Sequence, residues 1–354
     1  MMKKKILLSL LALSVVLSMV LSGCGKQAAP QGSGDASAPE FKLKLVCDYP
    51  AQNDIRGEII ARFKTEVESN TNGKIVIEIY DNGTLFKGEQ HAEAVPSGSA
   101  EMAFTQFGKG WPNSVPEFTL LGSSVFTDYQ HALRCLYGDL GTLLEDQLDK
   151  KMNTKLLAWS GAGNVDALCT NKRLVKTPED MKGLRMRVTT SGQVAFMEAY
   201  GASGVLMGAA DMYMGLSRGT IDGVFSTAPG SAVSNKLYEV AKYWTRAAIV
   251  TSAMEHGFVM NKDVWNKLPE DYQKVIQAAA EKIAKALIEE TMAANDMEWQ
   301  NIAELPGVEV YTVPQDEIAH WEELLAPAKI KVLQEVMPQQ KMDELMVIVE
   351  KYRQ

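Results

Sequence analysis

From Phe41 onward, short apolar runs alternate with longer stretches whose apolar residues recur every three or four positions, the pattern of strands feeding helices. Phe41 to Tyr49 reads as a strand. Asn53 to Asn70 carries Ile55, Ile59, Ile60, Phe63 and Val67 at helical spacing, and Asn72-Gly73 ends it before a second strand from Lys74 to Tyr80. A helix from about Gly88 to Val95 leads to a third strand around Ala100 to Thr105. Lys155 to Ser160, Asp166 to Asn171, Leu184 to Thr189 and Thr220 to Phe225 read as further strands. Helices are expected near Gln193 to Tyr200 and Ala210 to Arg218, each stopped by a glycine, Gly201 and Gly219. This is the grammar of βαβ units, which predicts an α/β fold with a largely parallel sheet. Pro269 to about Glu304 is continuous helical pattern, which at 1.5 Å per residue extends over ~50 Å and should brace two lobes.

Length and composition agree with two lobes. The chain has 354 residues, 46% hydrophobic and 23% charged, enough for two separate cores. Its net charge is -8; without Lys3, Lys4 and Lys5, which fall in a segment expected to be removed, 33 basic residues face 44 acidic ones, or -11. An acidic body repels phosphate backbones, so no nucleic-acid partner is expected. No Gly-x-y period and no sustained heptad is present, and there is one long apolar run.

That run, Ile6 to Leu21, follows Met1-Met2-Lys3-Lys4-Lys5 and is uncharged, as in a secretory signal; it is short for a membrane span. Leu21-Ser22-Gly23-Cys24 ends it and resembles the bacterial lipobox, which implies lipidation of Cys24. Gly25 to Pro39 is rich in Gly, Ala, Ser, Pro and Gln, the composition of a tether. The expected division is therefore a leader over 1–23, a tether over 24–40, a first lobe of 41–164 plus about 253–292, and a second lobe of 165–252 plus about 293–354. A soluble body, expected as a monomer, would be held at the outer face of a bacterial cytoplasmic membrane or in the periplasm.

Chemistry for catalysis is sparse. His91, His131, His256 and His320 form no close pair, Gly161-Ala162-Gly163-Asn164 is too short for a dinucleotide fingerprint, and no P-loop or G-x-S-x-G motif occurs. Cys47, Cys135 and Cys169 sit in apolar contexts without a CxxC spacing, which suits three small buried side chains and leaves one disulfide open. Binding is favoured over turnover.

Several ordered motifs then point to a family. Thr177 to Asn261 contains TPEDMKGLRMRV, ADMYMGLSRGTIDGVFS, NKLYEVAKYWT and FVMNKDVW; upstream lie Asp81-Asn82-Gly83-Thr84-Leu85, Glu93-Ala94-Val95 and Glu101-Met102-Ala103. This series strongly resembles the solute-binding proteins of TRAP (tripartite ATP-independent periplasmic) transporters, the DctP-like family. The resemblance implies two α/β lobes in a periplasmic-binding-protein-like fold, a cleft between them and a long helix spanning both. It further implies closure on a small organic anion and delivery to TRAP membrane subunits. It assigns Arg187 to the ligand carboxylate. On the strand pattern alone Arg185 and Arg187 share one face, opposite Leu184, Met186 and Val188, and composition favours a solvated Arg187; only the motif reverses that. A guanidinium suits the assigned role because its planar fork grips a carboxylate bidentately.

The departures narrow the ligand. Ser226 stands where the family often has Asn, and Phe225 replaces a Glu and either faces the cleft or packs in the core. The second family Arg would fall at Ala167, so sialic acid and dicarboxylates are not expected. Met207-Gly208-Ala209-Ala210 replaces the Trp-rich run of the metal-dependent branch, so no metal and no cofactor are expected. Gln106 and Thr105 at the end of the third strand, Trp159 near the crossing between lobes and Thr190 just past Arg187 complete the candidate site, each with core packing as the alternative. One cation, hydroxyls, amides and aromatic walls suit a small monocarboxylate or sulfonate with an apolar or aromatic part. Two rival functions are a ligand-presenting receptor for a membrane sensor kinase and a secreted enzyme on the same scaffold.

Overall fold

The computed structural model describes residues 38–249 and 255–353; the expected leader, Cys24 and most of the tether lie outside the described residues. Eleven strands are described: β1 (Phe41–Val46), β2 (Ile75–Tyr80), β3 (Met102–Gln106), β4 (Thr154–Ser160), β5 (Ala167–Thr170), β6 (Arg185–Val188), β7 (Ser203–Leu206), β8 (Gly223–Thr227), β9 (Tyr243–Arg246), β10 (His256–Asn261) and β11 (Glu309–Thr312). They form two sheets, β2-β1-β3-β10-β4 and β11-β9-β5-β8-β6-β7, one in each lobe of a mixed α/β fold.

Local chemistry explains the first crossover. Asp54, in extended conformation, caps the helix Ile55–Asn70 by accepting from the Arg56 N–H, and Ile59, Ile60, Phe63 and Val67 bury the helix against the sheet. β1 then lies parallel to β2, with Phe41 opposite Ile75, and parallel to β3 on its other side. In the second lobe β6 runs parallel to both β7 and β8.

Three expectations need correction. The sheets are mixed: β10 is antiparallel to β3 and β4, and β5 to β8 and β9. β5 arrives directly from the other lobe with no crossover helix to reverse the chain, so it enters against its neighbours. Ser203–Leu206, absent from the strands expected from the pattern, is an edge strand; half exposed, it lacks a clean alternation of buried and exposed positions. The end of the chain does not stay with the second lobe. The helix Gln315–Val336 starts there, through Trp321, Leu325 and Ala328, but Leu333, Met337, Met342, Leu345 and Val349 join the core of the first lobe. His131 Nε2 donates to the Val349 carbonyl at 2.8 Å and fixes that return.

The long helix, Glu270–Ala303, serves both lobes: Ile276, Ala280, Ile283 and Leu287 pack beneath the first sheet, Trp299 and Ile302 beneath the second. Cys47, Cys135 and Cys169 are buried free thiols within these cores. Among the described residues no helix is long and apolar enough to cross a membrane.

Candidate functional site

Parallel strands present their carboxyl ends to the seam between the lobes, where ligands collect in open α/β sheets. From the first lobe come Asp48 and Tyr49 just past β1, Asn82 past β2, Gln106 at the end of β3, Lys109 beyond it and His256 at the start of β10. From the second come Arg187 in β6 and Ser226 and Thr227 at the end of β8. Together they line a polar cavity at this seam.

Arg187 dominates the electrostatics. It is 3% exposed, and its Nε donates to the Met207 carbonyl at 2.8 Å, which orients the fork and leaves the Nη groups for a ligand. Among the described residues no carboxylate lies within ion-pairing distance of it, and burial pushes its guanidinium down to about 10. Beside it on the lining, Ser226 holds a left-handed backbone (φ 52°), and its buried Oγ has no partner among the described residues. A strained, non-glycine residue that presents an unused hydroxyl to a cavity is the arrangement of a ligand contact.

The other cations are already matched. Lys109 Nζ donates to Asp48 Oδ2 at 2.8 Å. Arg56, fully buried, makes a two-pronged pair with Asp54, Nε to Oδ1 at 2.7 Å and Nη2 to Oδ2 at 2.5 Å, beneath the Tyr49 ring. Burial pushes the Asp48 carboxyl up, but Lys109 and His91 outweigh it and hold the group ionised, below its usual range. Tyr49 Oη and His256 Nε2 share a hydrogen bond of 2.8 Å, and the His256 ring stacks on Phe104.

Comparison with known proteins fits this geometry. The model of "bacterial extracellular solute-binding protein, family 7", DctP, matches residues 47–335. A solute-binding protein of Verminephrobacter eiseniae is 34% identical over 246 residues, 68% of this chain and 71% of that protein. The chain belongs to this family. The C4-dicarboxylate-binding periplasmic protein DctP of Rhodobacter capsulatus is 27% identical, over 82% of this chain and 87% of that protein. The crystal structure of a TRAP periplasmic solute-binding protein from Chromohalobacter salexigens with bound D-glucuronate superposes with a TM-score of 0.74 at 25% identity, covering 88% of this chain and 99% of that one. The chain is a TRAP transporter solute-binding protein, and its family and structural neighbours are transport receptors and not enzymes.

Within this TRAP solute-binding protein the candidate residues divide. Arg187, Ser226 and Gln106 line the cavity together. Phe225 does not: it packs with Tyr200 in the core of the second lobe. Thr105 is turned inward, where its Oγ1 accepts from Trp111 Nε1 at 2.9 Å and meets His91 Nδ1 at 3.3 Å. Trp159 packs at a tilt against Phe107 in the first core and donates Nε1 to Glu145 at 3.1 Å. Thr190 lies at an adjoining part of the seam, between Gly108, Gly122 and Glu255, and not on the cavity lining. The aromatic wall expected of Trp159 and Phe225 is therefore absent from this cavity. Arg185 is committed elsewhere: it pairs bidentately with Asp222 at 3.0 and 2.9 Å and locks β6 to β8.

Asp48, Tyr49, Arg56, Lys109 and His256 were not singled out from the sequence. Asp48 falls inside the strand read from Phe41 to Tyr49, whereas β1 ends at Val46 and leaves Asp48 just past its carboxyl end, so the misplaced boundary hid the signal. Arg56 reads as an ordinary first-turn residue of a helix, and nothing in the pattern marks it as buried. Among the described residues no cluster of His, Cys, Asp and Glu is suited to a metal ion.

Proposed function

We propose that this solute-binding protein captures a small organic anion, a carboxylate or sulfonate, in the cavity between its lobes, with Arg187 clamping the anion and Ser226 donating to it, and hands it to the TRAP membrane subunits. One observation carries the proposal: Arg187 is a buried, oriented guanidinium on the lining with no acidic partner among the described residues. A buried charge of that kind carries a desolvation cost that an arriving counter-charge relieves. The relative with bound D-glucuronate supports the ligand class. Native mass spectrometry of freshly purified protein, followed by a thermal-shift screen of organic acids, tests it; if no acid stabilises the protein, the proposal fails.

The N-terminal segment supports a location. Basic residues, an apolar stretch and Leu21-Ser22-Gly23-Cys24 followed by a Gly/Ser/Pro-rich tether suit a monomeric body on a lipid leash at the outer face of the cytoplasmic membrane or in the periplasm. A fatty-acid analogue should label the wild type and not Cys24→Ala; equal labelling of the two rules out the anchor.

A further inference from the structure

The charges that line the cavity balance in a specific way. Arg187, Arg56 and Lys109 contribute three cations, but Lys109 is neutralised by Asp48 at 2.8 Å and Arg56 by the two-pronged contact with Asp54. Asp54 is further held by Ser234 Oγ at 3.3 Å, and Glu298 adds negative potential near Arg56. Arg187 has no ion pair among the described lining residues; Asp48, already paired with Lys109, acts on it only at longer range, so the net excess on the lining is one positive charge. The rest of the lining carries hydrogen-bonding groups: Asn82, Gln106, Asp48 and the Tyr49–His256 pair.

We infer that the site selects a hydroxylated monoanion and rejects dianions, and that Asp48 sets this preference from the first lobe. The inference rests on the organic-anion function proposed above. A ligand with one carboxylate neutralises Arg187 and leaves the cavity balanced. A second carboxylate would reach the opposite wall and meet Asp48, whose partner Lys109 is already occupied, so a negative charge would stay buried without compensation. A hydroxyl in the same place has the reverse fit. It donates to Asp48, whose Oδ1 is not engaged by Lys109, and it accepts from the amides of Asn82 or Gln106. An alkyl chain would leave these polar groups desolvated and unmatched. The backbone at Gly88 enforces the arrangement: a Cβ there would come within 2.2 Å of Asp48 Oδ2, so glycine lets the chain press against the carboxylate and hold it in place.

Four probes separate the possibilities: D-gluconate and D-glucuronate (one carboxylate, hydroxyls), D-glucarate (two carboxylates, hydroxyls) and hexanoate (one carboxylate, no hydroxyl). Calorimetry on the purified full chain should give at least one of the two hydroxylated monoanions a Kd tenfold or more below those of glucarate and hexanoate. Asp48→Asn keeps the shape, frees Lys109 and should narrow the glucarate disadvantage at least tenfold. If that variant does not fold, Lys109→Gln provides the converse, widening the disadvantage tenfold by leaving Asp48 unpaired. Glucarate or hexanoate binding within threefold of the better hydroxylated monoanion, or an unchanged ratio in the folded variant, overturns the inference and leaves the organic-anion function standing. No heat with any of the four overturns the inference, and the thermal-shift screen then judges the wider function separately.

Discussion

Replacing Arg187 with methionine should make the protein more stable and useless at once. Burial pushes the guanidinium from its usual range down to about 10, so keeping it charged in the ligand-free cavity costs roughly 3 kcal/mol. Methionine fills most of the same volume without a charge, and the change gives up the hydrogen bond from Nε to the Met207 carbonyl, about 1 kcal/mol. The net expectation for ligand-free Arg187→Met is a gain of about 1–3 kcal/mol, a rise of a few degrees in Tm for a chain of this size. With ligand the sign reverses. Removing one partner of a desolvated pair costs about 2–5 kcal/mol, roughly 30-fold to several thousand-fold in affinity. Scanning calorimetry of protein stripped by unfolding and refolding, with and without the acid that shifts the wild type most, reads both effects. A variant that melts below the wild type when empty refutes the burial cost, and one that keeps the wild-type ligand shift refutes the clamp.

Glu255, buried at the seam and hydrogen-bonded to the Gln106 amide, is pushed by burial from 4.5 to about 8. The folded protein keeps that proton while the unfolded chain releases it, so the stabilisation is full below about 4.5 and is lost as pH rises towards 8. Glu255→Gln should flatten this slope by a few kcal/mol between pH 5 and 8 in urea unfolding, and an unchanged slope contradicts it. Asp166 accepts from Arg246, Asn295 and Trp299 and ties β5, β9 and the long helix together, so Asp166→Ala should cost about 3–5 kcal/mol in the same assay; a loss below 1 kcal/mol refutes the tie. Trp159→Phe should lower stability by about 1 kcal/mol through the lost bond to Glu145 and leave ligand affinity within twofold, whereas a large affinity loss would restore Trp159 to the site. Closure of the lobes on the ligand should reduce the radius of gyration in small-angle scattering, and an identical value with and without saturating ligand argues for a rigid site.

The alternation of strand and helix, the long brace from Pro269 and the buried character of Cys47, Cys135 and Cys169 were legible along the chain, because each depends on apolar spacing that repeats within a few residues. The motif around Arg187 singled out the residue, since a family pattern preserves order and spacing even where composition favours exposure. What the sequence could not decide was pairing across distance. Whether Arg187 is clamped or free depends on the absence of an acid that the fold keeps away. Arg56 and Lys109 look equally cationic on paper, and only folding brings Asp54 and Asp48 against them. Phe225 and Ser226 are neighbours in one strand, yet side chains alternate across a sheet, so one fills a core while the other lines the cavity. The return of the last helix to the first lobe and the antiparallel entry of β10 follow from which apolar faces remain uncovered once both sheets exist, a property of the assembled surfaces and not of any local stretch.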